Sequence, residues 1–413
     1  MSRLRKRLCG VLTASLLFSV SLAGCAKPQE PEKPAYKGPL TLWAAPGLAG
    51  IPATKPDQAW FEERARDYTA AHPDTPLTVR LFASPEELEQ SLLTSAELPD
   101  LAFSRFLPEL APRLGDLREA PAQGEAFYPN APGGFTRDGK TMGLPVLLEL
   151  QVLALNEQAF AEAGVALPAG GKWNYETFEN TLKELSSKDR YGLGFYHLPG
   201  YHEWWSLAEG LITAEGKVAA GAEEGLARLA RYRSEGLLFP DTGKLKAEET
   251  WSAFASSPAG FAILPVSTWA LPLLREEPYN AKLSVAGFPG GHAAGRSYGF
   301  LLSRQADSLK FQAAAQAARF MAAPDQQVRL ARDTGLMPAS PGAGNPFDGD
   351  PLLSGAYQFA PTFWPLPAGP AWDKAEPMVS RELTYGVLGA RAPADVLAGV
   401  EKAISAAVAP ANP

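Results

Sequence analysis

Gly290, Gly295, Arg296 and Ser297 stand at the spacing of a phosphate-cradling loop, G-x-x-x-x-G-K-[ST], within the stretch FPGGHAAGRSYGF from Phe288 to Phe300. That loop needs a strand before it, a helix after it and a Lys to reach the phosphates. Here KLSVAGF suits the strand, but SYGFLLS continues as another strand and the Lys is Arg296. Nucleotide hydrolysis is set aside, and the glycines read as a flexible joint, because Gly tolerates the φ/ψ changes of a closing hinge. Other catalytic patterns fail as well. Gly295, Ser297 and Gly299 fit G-x-S-x-G, but the strand-like SYGFLLS follows where that motif needs a strand-to-helix turn, and there is no H-E-x-x-H. The cysteines are Cys9 and Cys25, both near the amino end, which leaves the body without a disulfide, a Cys–metal site or a Cys nucleophile. His197 and His202 are five apart and off one helix face, so no metal is expected, and no cofactor. A carboxylate pair for glycoside hydrolysis depends on a separation in space that a sequence does not display. No residue is assigned as catalytic.

Binding chemistry is better represented. The chain has nine tryptophans. Trp60, Trp173 and Trp251 lie in or beside helical patterns and read as core. Trp43 follows the first strand, where ligand crevices form at strand carboxyl ends. Trp204 and Trp205 sit beside His202 and Glu203 in a loop-like stretch, Trp269 follows the strand FAILPVS, and Trp364 and Trp372 lie in the Pro-rich PTFWPLPAGPAW. These six divide between ligand contact and packing. Glu149 interrupts an apolar run, where an acid is costly to bury without a partner. Tyr196 and His197 end the strand YGLGFYH.

The elements that must position these residues alternate. PLTLWAA, PLTVRLF and PDLAFS read as strands, separated by helices in DQAWFEERARDYTAAHPD and SPEELEQSLLTSAEL, the latter with Ser84 as cap and Pro85 in its first turn. GLPVLLELQVLALN is too long for one ordinary strand. Helices are expected in YETFENTLKELSSK, EEGLARLARYRSEG, SLKFQAAAQAARFMAA, PDQQVRLARDTG and APADVLAGVEKAISAAV; YGLGFY, GFAILPV and YGFLLS read as strands. Pro324 opens the fourth of these helices and Gly335 closes it. The alternation implies parallel sheets covered by helices.

At 413 residues the chain exceeds one ordinary core, so two domains are expected. Residues 1–24 read as a signal peptide: Arg3, Arg5, Lys6 and Arg7, then the apolar run Leu8 to Ala23, shorter than a membrane span. The run closes on Leu22-Ala23-Gly24-Cys25, which resembles the bacterial lipoprotein signal and implies lipid attachment at Cys25. Residues 25–38 read as an extended tether. The leader takes four cations with it, leaving the rest four units more negative than the formal −7 of the whole, with no basic cluster for nucleic acid.

The order of elements resembles the extracellular solute-binding proteins of bacterial ABC importers, the sugar-binding family that includes maltose-binding protein. LTLWAAP, SAELPDLAFS, DGKTMGLPVLLELQVLALNEQAFAEAGVALPAGGKWNYETFENTLKEL, SSPAGFAILPVSTWALP, FPGG…G and AARFMAAPDQQVRLARDTGLMPAS carry the resemblance, in the family's order. It implies an α/β fold of the two-lobed periplasmic-binding-protein type (type II), with the ligand cleft between lobes joined by hinge crossings. The lobes would be 39–148 plus 293–342 and 149–292 plus 343–413. LPVLLELQV would be the first crossing, FPGGHAAGRSYGF the second, and SPGAGNPFDGDP would lie near the third. Glu149 and Trp269 align with sugar-contacting positions, Ser104 and Arg105 with a ligand-facing loop, and Ser297 and Tyr298 would face the cleft beyond the joint. A pyranose has an apolar C–H face that stacks on a ring and a rim of hydroxyls that need fixed partners.

The implied protein is a substrate-binding lipoprotein, a monomer held by its lipid on the extracytoplasmic face of the cell membrane. It would capture a sugar or oligosaccharide and deliver it to ABC permease subunits. The alternatives are a surface lipoprotein that senses a polyamine, peptide or other small polar ligand without transport and, last, a carbohydrate-cleaving enzyme.

Overall fold

Strands and helices alternate along the chain from β1 (Leu40–Ala44) through α1 (Gln58–Ala71), β2 (Leu77–Leu81), α2 (Pro85–Thr94) and β3 (Leu101–Arg105). A hairpin of β4 (Thr136–Arg137) and β5 (Lys140–Thr141) precedes β6 (Gly143–Leu148) and β7 (Gln151–Asn156). Next come α3 (Glu157–Ala163), α4 (Tyr175–Leu185), β8 (Tyr191–Leu193), a tight turn of helix at Glu203–Ala208, α5 (Ala222–Ser234) and α6 (Ala247–Ala255). The chain continues through β9 (Phe261–Ser267), α7 (Leu271–Arg275), β10 (Leu283–Ala286), β11 (Ala293–Gly295) and β12 (Ser297–Leu302). Last are α8 (Ser308–Met321), α9 (Pro324–Thr334), β13 (Met337–Pro338), α10 (Pro351–Tyr357), β14 (Phe363–Pro365), α11 (Pro370–Val387) and α12 (Pro393–Val408). The computed structural model describes residues 35–49, 58–120, 124, 126–187, 190–196, 202–208 and 210–408. The expected signal peptide, Cys25, most of the tether and His197 lie outside them.

Two main sheets organise the unit that begins at Tyr36. One has six strands in the order β13-β6-β12-β3-β1-β2; the other has four, β10-β7-β9-β8. In the first, β1 runs parallel to β2 and β3, while β12 is antiparallel to β3 and β6. In the second, β7 is antiparallel to β9 and β10, and β8 is parallel to β9. Helices cover the faces of β6, β7 and β9, and every residue of these strands is buried, which is why their sequences are apolar throughout rather than alternating. The overlong run of residues 143–156 is therefore two strands in two sheets, broken at Glu149 and Leu150.

Local chemistry sets the helix ends as expected. Ser84 Oγ accepts the Glu87 N–H at 3.2 Å with Pro85 in the first turn, and α9 runs from Pro324 to a left-handed Gly335 at φ 69°. Elsewhere the fold departs from the expectation. The helix at Tyr175 stops at Leu185 because Ser186 leaves the helical region, and the strand at Tyr191 stops at Leu193. The loop-like Trp204–Trp205 stretch is a buried helical turn, and PAGPAW opens α11, which accommodates Pro377 in its interior.

Candidate functional site

The two chain crossings between the sheets lie against each other. The Glu149 N–H donates to the Arg296 carbonyl at 2.8 Å, and a Cβ on Gly295 would lie 1.7 Å from the Glu149 carbonyl oxygen. Only glycine fits such a backbone approach. That is the role of the glycine in the apparent phosphate loop, and the stretch runs as β11 and β12 with no helix after it.

A buried polar group is built on this junction. Glu149 Oε1 accepts from Ser267 Oγ at 2.8 Å and from Trp269 Nε1 at 3.4 Å; Oε2 lies 3.4 Å from Arg296 Nη1. Arg296 Nη2 is 3.3 Å from His202 Nδ1, and His202 Nε2 is 2.6 Å from Glu376 Oε1 on α11. A guanidinium only donates, so the Nδ1 atom accepts from it. Burial opposes the charge on Arg296, but Glu149, Tyr298 and Glu376 raise its pKa further, so it stays a cation. Glu203 takes a hydrogen bond from the Tyr196 hydroxyl at 2.9 Å, and its carboxyl is pushed up to about 7, first by burial and then by the Glu149 charge.

Aromatic rings wall this group. Trp205 lies edge-on to His202, with ring centres 4.5 Å apart, and 6.0 Å from Trp372 at 89°. Its indole N–H is buried and has no partner among the described residues. Ser206 ties the turn in place, donating to Gln151 Oε1 on β7 at 3.1 Å and accepting the Ala294 N–H on β11 at 2.8 Å. A cavity of about 320 Å³ opens at Trp372, lined also by Pro108, Glu109, Arg137, Glu215 and Ile404.

The pattern of bacterial extracellular solute-binding proteins matches residues 63–354. The chain belongs to that family. The solute-binding protein is 24% identical over 172 residues to a binding protein of Brucella abortus and to one of Brucella suis, covering 39% of this chain and 41% of theirs. It thus spans about two fifths of the length of the curated relatives it matches. Solved structures align over nearly the whole chain. A cyclic α-maltosyl-1,6-maltose binding protein of Arthrobacter globiformis gives a TM-score of 0.69 at 15% identity, covering 90% of this chain and 99% of that one. The sugar-binding protein MalE of Xanthomonas citri gives 0.69 at 14%, covering 90% and 97%. An ABC substrate-binding protein of Listeria monocytogenes in complex with cycloalternan gives 0.60 at 16%, covering 90% and 99%. The fold is thus the two-lobed α/β arrangement of periplasmic binding proteins.

Within this solute-binding protein the expected site residues separate into groups. Glu149, Tyr196, Trp205, Trp269 and Trp372 come together around Arg296, as described. Trp204 stacks on Phe195 in the core at 5.2 Å and 10°. Tyr298 is buried with its hydroxyl on the Ala49 carbonyl at 2.8 Å, and burial raises its pKa. Ser297 is buried beside Gly134. Trp43 is half-buried against Phe82, with the Arg80 guanidinium 4.9 Å from its ring; Trp364, also half-buried, meets His292. Ser104 and Arg105 end β3 beside Glu89. Of the tryptophans read as core, Trp60 and Trp251 are buried, while Trp173 is half-buried and donates to the Gly287 carbonyl at 2.7 Å.

Sequence reasoning did not assign Arg296, His202, Glu203 or Glu376 to the site. His202 and Glu203 were visible as polar neighbours of the Trp pair, but Glu376 left no signal, being one acid on a helix that Pro-rich composition concealed. Among the described residues no cluster of three or more His, Cys, Asp or Glu is arranged for a metal, and no helix is long and apolar enough to cross a membrane.

Proposed function

We propose that this protein captures a sugar or oligosaccharide outside the cytoplasmic membrane and delivers it to an ABC permease by cleft closure. Its lobes would be 39–148 with 293–342 and 149–292 with 343–413, hinged where Glu149 and Arg296 lie side by side. The observation that carries the reading is the buried, unpartnered Trp205 N–H. It stands beside the Trp372 ring and within a set of fixed carboxylate, imidazole and guanidinium groups. A buried donor without a partner costs about 1–3 kcal/mol, which a ligand hydroxyl would recover. Rings for the apolar face of a pyranose and fixed polar groups for its rim are the two things a sugar requires. Family membership, and fold neighbours that bind oligosaccharides, support the same reading.

The role is binding alone, with Glu149, Tyr196, Trp205, Trp269 and Trp372 as ligand contacts and no cofactor. Lipidation at Cys25 would hold the monomer at the extracytoplasmic membrane face, since two or more acyl chains anchor without spanning. Affinity near micromolar corresponds to about −8 kcal/mol. A thermal-shift screen over mono- and oligosaccharides, polyamines and peptides tests the proposal. At least one sugar is expected to raise the melting temperature and to emerge uncleaved. A shift by polyamines alone, or release of sugar products, would sink it.

A further inference from the structure

Arg105, at the end of β3, was expected to meet ligand, yet two acids occupy its guanidinium. Nε and Nη2 donate to Glu89 Oε1 and Oε2 at 2.8 and 2.9 Å, a bidentate pair with α2. Nη1 and Nη2 then reach Asp373 Oδ1 and Oδ2 at 3.2 and 2.8 Å, in the first turn of α11. Burial opposes its charge, but Glu89 and Asp373 together raise its pKa, so the fork stays charged. Four residues on, Glu109 Oε1 accepts the Ala371 N–H of the same turn at 2.9 Å. Gly369 also packs against the Pro108 ring here: a Cβ on it, at φ 97°, would stand 2.5 Å from Pro108 Cδ.

These contacts bridge the two sheets. Arg105, Pro108 and Glu109 belong to β3 of the six-stranded sheet and the segment leaving it. Helix α11 packs on α12 and α5, and α5 packs on the Glu203–Ala208 turn that Ser206 fastens to β7 of the other sheet. Between Ala371 and Asp373 lies Trp372, the ring that faces Trp205.

We infer that Arg105 and Glu109 are positioning residues, an inter-lobe latch that grips the first turn of α11 and so seats Trp372 when the cleft is closed. Opening the lobes must break both grips. The latch therefore biases the open–closed equilibrium and, through it, the apparent affinity for any ligand that binds the closed form. The inference rests on cleft closure under the proposed function, and it is independent of which ligand is bound.

Small-angle scattering of the full chain, with no sugar added, tests it. Glu109 is exposed and the Asp373 side chain is 44% exposed, so Glu109→Ala, which removes the acceptor, and Asp373→Asn leave the fold intact, whereas an Arg105 variant would strand the buried Glu89. Each single variant is expected to shift the radius of gyration upward, and the double variant further, with the melting temperature unchanged. High salt is expected to move the wild type part of the way, because the Asp373 arm is open to screening. Equal radii for all variants at both salt concentrations would overturn the latch. So would a larger radius accompanied by a lower melting temperature, which would make the contacts part of folding stability. Neither result bears on the sugar screen, whose failure would in turn leave the latch standing.

Discussion

Trp204 and Trp205 are neighbours on one turn of helix, both almost wholly buried, and they serve opposite ends. Trp204 lies flat on Phe195 inside the core, whereas Trp205 stands edge-on to His202 with its N–H unspent. A tight helical turn projects successive side chains in different directions. One ring can thus stack on Phe195 while the next meets His202 and Trp372. Burial alone does not separate a structural tryptophan from a binding one, and neither does an idle indole N–H, which buried Trp60 and Trp251 share; Trp205 differs in standing beside His202 and Trp372.

Three substitutions would break or sharpen that contrast. The largest effect is expected from Trp204→Ala, which empties a packed position and costs about 3–5 kcal/mol of stability, read from urea unfolding. If it proved neutral in stability and harmful only to binding, the division between the two rings would collapse. Next is the acid at the head of the turn. The Glu203 carboxyl titrates near 7 in the folded chain against an ordinary 4.5. Between those values the folded chain holds a proton that the unfolded chain has released. The resulting stability is complete below about 4.5 and is lost as pH rises through about 7. It amounts to at most about 3 kcal/mol, and Glu203→Gln should flatten this part of a melting-temperature profile. A wild-type profile that rose across the same window would contradict the assignment. The smallest is Trp205→Phe, which keeps a ring and removes the idle donor. Stability should change by less than about 1.5 kcal/mol, because no hydrogen bond is lost. Calorimetry should meanwhile show about tenfold weaker binding of the tightest sugar found in the screen. Unchanged affinity would return Trp205 to the core beside its neighbour.

Much of this molecule is readable before any fold is known. Ser84 with Pro85 and Pro324 with Gly335 mark helix ends because capping is satisfied within a few residues. The run of residues 143–156 betrays a crossing because it is too apolar and too long to be one strand. Glu149 stands out because an acid there must find a partner. The partners themselves were not readable. Arg296 lies 147 residues from Glu149, and Asp373 lies 268 from Arg105. Nothing local distinguishes Glu376 or Asp373 from other acids on an exposed helix. Pro365, Pro367 and Pro370 further disguised the start of α11, although Pro is tolerated in a helix's first turn.

Residue order along the chain settled many of the strands, some helix ends, the family and the polar oddity in the apolar run, because each follows from interactions among near neighbours or from burial patterning. Tertiary structure alone decided that Glu149, Arg296, His202 and Glu376 form one chain of contacts, that Arg105 is held between Glu89 and Asp373, and that Trp204 stacks on Phe195 while Trp205 stands against His202 and Trp372. Those outcomes depend on which distant segments a crossing brings within hydrogen-bond reach, and a carboxylate or an indole N–H has the same local signature whether or not a partner arrives.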